Sequence, residues 1–197
     1  MESIALKILN TEALCALDEE IEKIEDVHEK EVRQHLLEAI WDKIEDYDAH
    51  ILDYEYKQHC RNLVERGLVF VPIEKDVVTA NWDRLFASSV SEQAKEKTKH
   101  YNEQYKWHLF SFELLESFVA ADARSVFDTR PKDTIYLFFQ YAEEAYLVKN
   151  ASLLKAEDLD FHSGIEKADI YVFDPSAKWT YVKTHEEMCG PYFYYTK

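Results

Sequence analysis

Apolar residues recur at spacings of three and four positions along the first third of the chain, the pattern of amphipathic helices. The two series are Leu14, Leu17, Ile21 and Ile24, and then Leu37, Ile40, Ile44, Tyr47, Ile51 and Tyr54. The first series predicts a helix from about Thr11 to Asp26. The second predicts one long helix, or two nearly collinear ones, between Glu29 and Arg66, because this span lacks proline and glycine and Gly67 follows it.

Runs of β-branched and aromatic residues follow this helical part. The first run, residues 68–73, contains Pro72, which favours an edge strand or an extended segment over a central strand. Residues 79–106 predict a helix followed by a charged helix or loop. Residues 107–112 fit strand and helix equally well, and residues 113–127 favour helix.

Two pairs of β-forming runs in the last third predict two hairpins. Residues 134–140 pair with 145–148, and residues 169–173 pair with 178–183 around an Asp-Pro-Ser-Ala turn. Residues 153–159, between the hairpins, could supply one helical turn. Consecutive hairpins predict an antiparallel sheet, and we expect helices to cover one of its faces.

The predicted fold class is therefore α+β, with N-terminal acidic helices packed on a C-terminal antiparallel sheet built from hairpins. We expect an acidic helical region at residues 1–75 and an α+β region at residues 76–197. No linker rich in proline, glycine or serine separates them, so we expect one compact unit.

Charge narrows the range of partners. The 197 residues include 23 Lys and Arg against 39 Asp and Glu, a formal charge of -16, and the first 60 residues hold 17 of the acids but 6 of the bases. Such a chain repels phosphate backbones and anionic lipids, so we expect no duplex nucleic acid and no membrane as partner. The 3 glycines are too far apart for a dinucleotide-binding turn or a phosphate-binding loop.

The sequence predicts a cytoplasmic protein with reduced thiols. The first ten residues lack the basic start and cleavage site of a signal peptide, and no apolar run approaches the length of a membrane span. Cys15, Cys60 and Cys189 are sparse and form no C-x-x-C pair, so neither a disulfide framework nor a structural zinc site is expected.

The densest candidate for chemistry is the segment that holds His185, Glu186 and Cys189. A histidine and a cysteine could form a base and nucleophile, which makes these three residues weak catalytic candidates. The segment lacks the second histidine of the H-E-x-x-H zinc motif, so no metal is predicted, and no cofactor either. A structural turn that ends at Gly190 is the favoured interpretation, with an unreactive Cys189.

Binding is the other candidate activity. Asp42, Glu45, Asp46 and Asp53 fall largely off the apolar series of the long helix and could face a basic protein, although a merely solvated face explains them too. Trp179 and Tyr192 could be exposed aromatic anchors, whereas most aromatic clusters belong to a core.

Three sequence segments resemble an uncharacterised family of small bacterial proteins, found mainly in Gram-positive bacteria and classed as a domain of unknown function. They are W-H-x-F-S at 107–111, I-Y-x-F-x-Q at 135–140 and D-I-Y-V-F-D-x-x-x-x-W-T-Y-V-x-T-H-E-x-x-x-G-P-Y-F-Y at 169–194. The resemblance covers roughly residues 80–196. It implies a bacterial, cytoplasmic protein and supplies no catalytic residue.

Three function classes remain open. The favoured one is an acidic binding protein, such as an immunity protein or antitoxin, that captures a basic partner. The second is a small enzyme that uses His185, Glu186 and Cys189. The third is a structural or regulatory module, in which the apolar series from Leu37 to Tyr54 pairs two copies into a homodimer.

Overall fold

The computed structural model describes residues 11–91, 93–94, 105–161, 169–186 and 188–196. The chain divides into two compact units, residues 1–53 and residues 54–197. The boundary that we predicted near residue 75 stays a prediction. Most of the charged segment predicted to follow the helix after residue 79 lies outside the described residues.

From residue 11 onward, where the structure describes it, the first unit is built from two helices. Helix α1 spans Thr11–Glu22, and helix α2 spans Val27–Glu65 and continues into the second unit. Asp26 caps α2, because its Oδ1 accepts a hydrogen bond from the backbone N–H of Glu29 at 2.8 Å. Both predicted helices are confirmed, and α1 ends four residues earlier than expected.

A small apolar core joins α1 to the first half of α2. Leu14 and Ile21 of α1 pack against Leu37 of α2, with Trp41 and Ile44 at the edge of this core. The other members of the second apolar series do not join it. Ile40, Tyr47, Ile51 and Tyr54 are exposed along α2.

In the described part of the second unit, seven strands form an antiparallel sheet in the order β1-β4-β3-β5-β6-β7-β2. The strands are β1 Val69–Pro72, β2 Phe118–Val119, β3 Thr134–Phe139, β4 Ala145–Lys149, β5 Ile170–Asp174, β6 Trp179–Lys183 and β7 Tyr192–Tyr195. Besides the end of α2, the α-helices with described bounds in this unit are α3 Lys75–Phe86, α4 His108–Ser111 and α5 Ala120–Thr129. Short 3-10 helices span Ala87–Ser89, Ala151–Leu153 and Ala156–Leu159.

The α+β prediction and both hairpins are confirmed. Strand β3 pairs with β4, and β5 pairs with β6, each antiparallel. In the second hairpin the Asp174 carboxylate accepts hydrogen bonds from the backbone N–H groups of Ser176 and Ala177, at 2.8 and 3.0 Å. Strand β1, with its proline, lies at the edge of the sheet as expected.

The prediction of a helix over residues 113–127 was wrong for its first half. Phe118 and Val119 form the short strand β2, which pairs with β7, and the helix begins at Ala120. Two residues are too few to show the period of a strand, so only the pairing with β7 reveals this element.

The expectation that helices cover one face of the sheet was also wrong. One face packs against the end of α2 and against α5, through Leu63 and Phe127. The opposite face packs against α3, through Trp82 and Phe86. The physical reason is visible in β5, where Ile170 to Phe173 are all buried, as in a strand that is apolar on both faces.

Specific polar contacts fix the helices on the sheet. Trp82 Nε1 of α3 donates to the hydroxyl of Thr180 at 2.9 Å, and Thr180 in turn donates to the carbonyl of Val172 at 3.1 Å. At the end of α2, the Arg66 guanidinium forms an ion pair with the buried carboxylate of Asp158. No helix in the described part of the chain is long and apolar enough to span a membrane.

Candidate functional site

Asp169 and His185 meet at one end of the β5–β6 hairpin. Ile170 lies opposite Lys183 in the strand pairing, so the residues just outside this pair are brought together. Asp169 Oδ1 accepts a hydrogen bond from the backbone N–H of His185 at 2.7 Å and lies 2.9 Å from its Nδ1. Asp169 is 1% exposed, whereas the His185 side chain is 23% exposed, so the carboxylate holds a ring that solvent still reaches.

The contact with Asp169 determines which nitrogen of the His185 ring carries the proton. A carboxylate oxygen only accepts hydrogen bonds, so Nδ1 of His185 must carry the proton. The neutral ring then presents Nε2 as a proton acceptor. Nε2 lies 3.5 Å from Oε1 of Glu186, so a proton taken up at Nε2 would face Glu186, and the resulting imidazolium ring would lie between two carboxylates, Glu186 at Nε2 and Asp169 at Nδ1.

A second histidine lies beside this pair. His108 begins helix α4, and its Nδ1 is 2.9 Å from the hydroxyl of Ser111. The ring of Tyr105 contacts both histidines, with centroids 5.5 Å from His108 and 5.2 Å from His185. Burial lowers the pKa of His108 from 6.5, against the opposing charges of Asp169 and Glu186, so the neutral ring is favoured at neutral pH.

Aromatic side chains frame the two histidines. The Trp107 ring lies 4.0 Å from the ring of His108 and 6.0 Å from that of His185. Tyr141 contacts Tyr105 edge-on at 5.9 Å, and burial raises the pKa of Tyr141 to about 12, so its hydroxyl keeps its proton. We call Tyr105, Trp107, His108, Tyr141, Asp169, His185 and Glu186 the two-histidine site.

One buried donor at this site has no hydrogen-bond partner in the part of the chain that the structure describes. Trp107 is 3% exposed, and its Nε1 has no hydrogen-bond partner among the described residues. Buried polar groups are nearly always paired, so such a group points to a water molecule or a ligand that would accept its hydrogen bond.

A series of hydrogen bonds holds the residues of the site in place. The buried Tyr171 hydroxyl donates to Oε1 of Gln140 at 2.8 Å and accepts from the backbone N–H of Trp107 at 3.0 Å. The backbone N–H of Gln140 donates to the carbonyl of Asp169 at 3.0 Å. This series fixes Trp107 and Asp169 relative to each other, although they belong to distant segments of the sequence.

The structure brings together only part of the predicted catalytic set. His185 and Glu186 belong to the two-histidine site, but Cys189 packs near Tyr192, where burial and the thiol raise the pKa of Tyr192 to about 12. The Thr184 hydroxyl donates to the carbonyls of Glu186 and Cys189 and closes the turn between them.

The predicted binding residues fall into two groups. Asp42, Glu45, Asp46 and Asp53 are exposed on α2, and Asp46 forms an ion pair of 2.8 Å with Lys43. Trp179 and Tyr192 are buried, on opposite faces of the sheet.

Sequence reasoning missed His108, Asp169 and Tyr105 as members of a site. A signal was nevertheless present, because the segments that carry the family resemblance contain His108, Gln140, Asp169 and His185. These segments are far apart in sequence and meet at the two-histidine site. Among the described residues, no group of three or more His, Cys, Asp or Glu side chains could hold a metal ion.

Comparison with known proteins identifies the family. Residues 76–193 match the family model described as Domain of unknown function (DUF4275), and this match spans more than half of the chain. The chain belongs to this family, and the match includes every residue of the two-histidine site. A search of curated proteins found no match, and neither did a search of solved structures.

Proposed function

We propose that the domain at residues 76–193 is an acid–base catalyst in which Nε2 of His185 is the base. The observation that carries this proposal is the pair of contacts from Asp169 to the backbone N–H and Nδ1 of His185. A buried carboxylate that fixes the ring and its tautomer is the arrangement that general-base histidines require.

The reaction that fits these groups is hydrolysis. Nε2 of His185 takes a proton from a water molecule, whose oxygen forms a bond to an electrophilic carbon of the substrate. The imidazolium is stabilised by Asp169 and Glu186 until it returns the proton to the leaving group, as the bond from that group to the carbon breaks. The Trp107 ring lies 6.0 Å from that of His185, and its Nε1, which has no hydrogen-bond partner among the described residues, is a candidate donor to the substrate.

The lining of the site restricts the substrate. Tyr105, Trp107 and Tyr141 offer aromatic surfaces, which favour a flat or apolar group. The carboxylates of Asp169 and Glu186 disfavour anions. We therefore propose a neutral or cationic substrate, an ester or an amide, rather than a phosphate ester.

We expect the wild-type protein to hydrolyse at least one member of a panel of neutral p-nitrophenyl esters and p-nitroanilides. Because general-base catalysis contributes about 10² to 10⁴ in rate, His185→Gln should lower kcat/KM by this factor. Cys189→Ser is the matched control and should retain the activity, since the thiol lies beside Tyr192. No turnover above buffer, or equal rates for wild type and His185→Gln, would contradict the proposal.

We also propose a second function, the binding of a basic protein by the acidic face of α2, in a bacterial cytoplasm. The observation that favours it is the exposure of Asp42, Glu45, Asp46 and Asp53 along one helix. Trp179 and Tyr192 are buried, so we assign the contact to the carboxylates alone. An immunity protein or antitoxin would use such a face to attract a cationic toxin.

Charge reversal tests this second function. Changing Asp42, Glu45, Asp46 and Asp53 to Lys should leave folding nearly intact, because exposed charges contribute little individually. It should slow association with a labelled lysine-rich peptide in stopped-flow mixing, and weaken the salt dependence of the rate.

The control must change net charge equally at another place. Glu116, Asp122, Glu143 and Glu157 are exposed in the second unit, and their change to Lys adds the same charge. If both quadruple variants slow association equally, net charge alone is responsible, and the acidic face of α2 is not the binding surface.

A further inference from the structure

Helix α2 carries an apolar row that nothing in the described structure covers. Ile40, Tyr47, Ile51 and Tyr54 are 42%, 38%, 37% and 60% exposed. Their spacing of seven, four and three residues places them on one side of the helix. Large apolar side chains in a continuous row, unlike single exposed ones, mark an interaction surface.

The row has the spacing of a coiled-coil seam. If Leu37, Ile44 and Ile51 are assigned to heptad position a, then Ile40, Tyr47 and Tyr54 occupy position d. Leu37 is buried in the core with α1, and Ile44 is half-buried at the edge of that core. The remaining four residues form a seam on α2 that is long enough for about two heptads, and we call it the α2 seam.

The charges beside the seam favour one partner and one relative orientation of the two helices. Position g holds Lys43, His50 and Lys57, and position e holds Trp41, Asp48 and Glu55. In a parallel, in-register pair of helices, each g residue faces the e residue five positions later in the other helix. Lys43 would then face Asp48, and His50 would face Glu55, of the second copy. An antiparallel pair would place g beside g and e beside e, with like charges together.

We propose that the α2 seam binds a second copy of this chain, in parallel and in register. A second copy supplies the same apolar row, and its residues at position e complement the charges at position g. This proposal is independent of the catalytic one. It is also compatible with the acidic face, because Asp42, Glu45, Asp46 and Asp53 occupy positions f, b, c and c, which remain on the outside of such a pair.

Sedimentation equilibrium over a range of concentrations tests the pairing. The full chain should form a dimer, and Ile51→Lys should raise the dimer Kd by about 100-fold, equivalent to about 2.8 kcal/mol, because two symmetry-related isoleucines lose their apolar contact. Ala49→Lys is the control, since Ala49 is exposed at position f, outside the seam. A monomer at every concentration, or equal weakening by both variants, would overturn the proposal.

Charge exchange tests the register. Lys43→Glu and Asp48→Lys should each weaken the dimer, because each variant places like charges across the seam. The double variant restores opposite charges and should regain most of the wild-type affinity. A double variant that is weaker than either single variant would overturn the parallel, in-register arrangement.

Disulfide trapping tests the direction of the helices. In a background with Cys15, Cys60 and Cys189 changed to Ser, Ile40→Cys and Tyr54→Cys should each form a covalent dimer with itself under mild oxidation. An antiparallel pair would instead link Ile40→Cys to Tyr54→Cys in a mixture of the two proteins. That outcome, like the absence of any crosslink, would overturn the proposal.

Discussion

Trp179→Ala is expected to lower the free energy of unfolding by about 3 to 5 kcal/mol, the usual cost of removing a large buried aromatic side chain. Trp179 is fully buried on β6. Its ring stacks on Phe193 of β7, with centroids 5.5 Å apart, and meets the ring of Phe127 of α5 edge-on at 5.9 Å. Alanine would leave a cavity between the sheet and this helix.

A denaturant titration measures this loss, which should move the midpoint while leaving the m-value unchanged. Trp179→Phe is the matched control. It keeps an aromatic ring in place and removes Nε1, which has no hydrogen-bond partner among the described residues, so it should lose less than half as much stability. A loss below about 1 kcal/mol for Trp179→Ala would contradict burial and return this residue to the candidate binding surface.

The elements that the sequence predicts well are those with a local signal. Helix α2 has an apolar series of five steps and a glycine after its end, and the β5–β6 hairpin has a turn that Asp174 closes by itself. The strand β2 has no such signal, since two residues are defined only by their pairing with β7. The packing of helices on both faces of the sheet could have been predicted, because β5 is apolar from Ile170 to Phe173 without alternation.

Two residues of the two-histidine site could be predicted for a similar reason. His185 and Glu186 are adjacent in sequence, so one motif contains both. Asp169 could have been found by extending the register of the predicted hairpin one step beyond the pair of Ile170 and Lys183, since this step places Asp169 opposite Thr184, the neighbour of His185. His108 could not, because its place depends on how residues 105–111 pack across the sheet, and hydrophobic periodicity contains no information about that packing.

Asp169→Asn is expected to weaken the proposed catalysis by His185 strongly while leaving its ring in place. The asparagine oxygen can still accept the hydrogen bond from the backbone N–H of His185, as Asp169 Oδ1 does now. Its amide nitrogen would then take the place of Oδ2, which lies 3.1 Å from Nδ1. A donor at that place disfavours a proton on Nδ1, so we expect the ring to carry its proton on Nε2 instead. An Nε2 that carries a proton cannot act as a base, and kcat/KM should fall by about 10² to 10⁴.

The tautomer supplies a measurement that does not depend on finding the substrate. Imidazole ¹⁵N chemical shifts should show the proton of neutral His185 on Nδ1 in the wild type and on Nε2 in Asp169→Asn. Glu186→Gln is the control, because Glu186 contacts Nε2 rather than Nδ1 and should leave the wild-type tautomer unchanged. A purely structural role for Asp169 predicts a loss of stability without exchange of the tautomer. Finding the same tautomer in the wild type and Asp169→Asn would therefore remove Asp169 as the positioning residue, and with it the main support for His185 as a base.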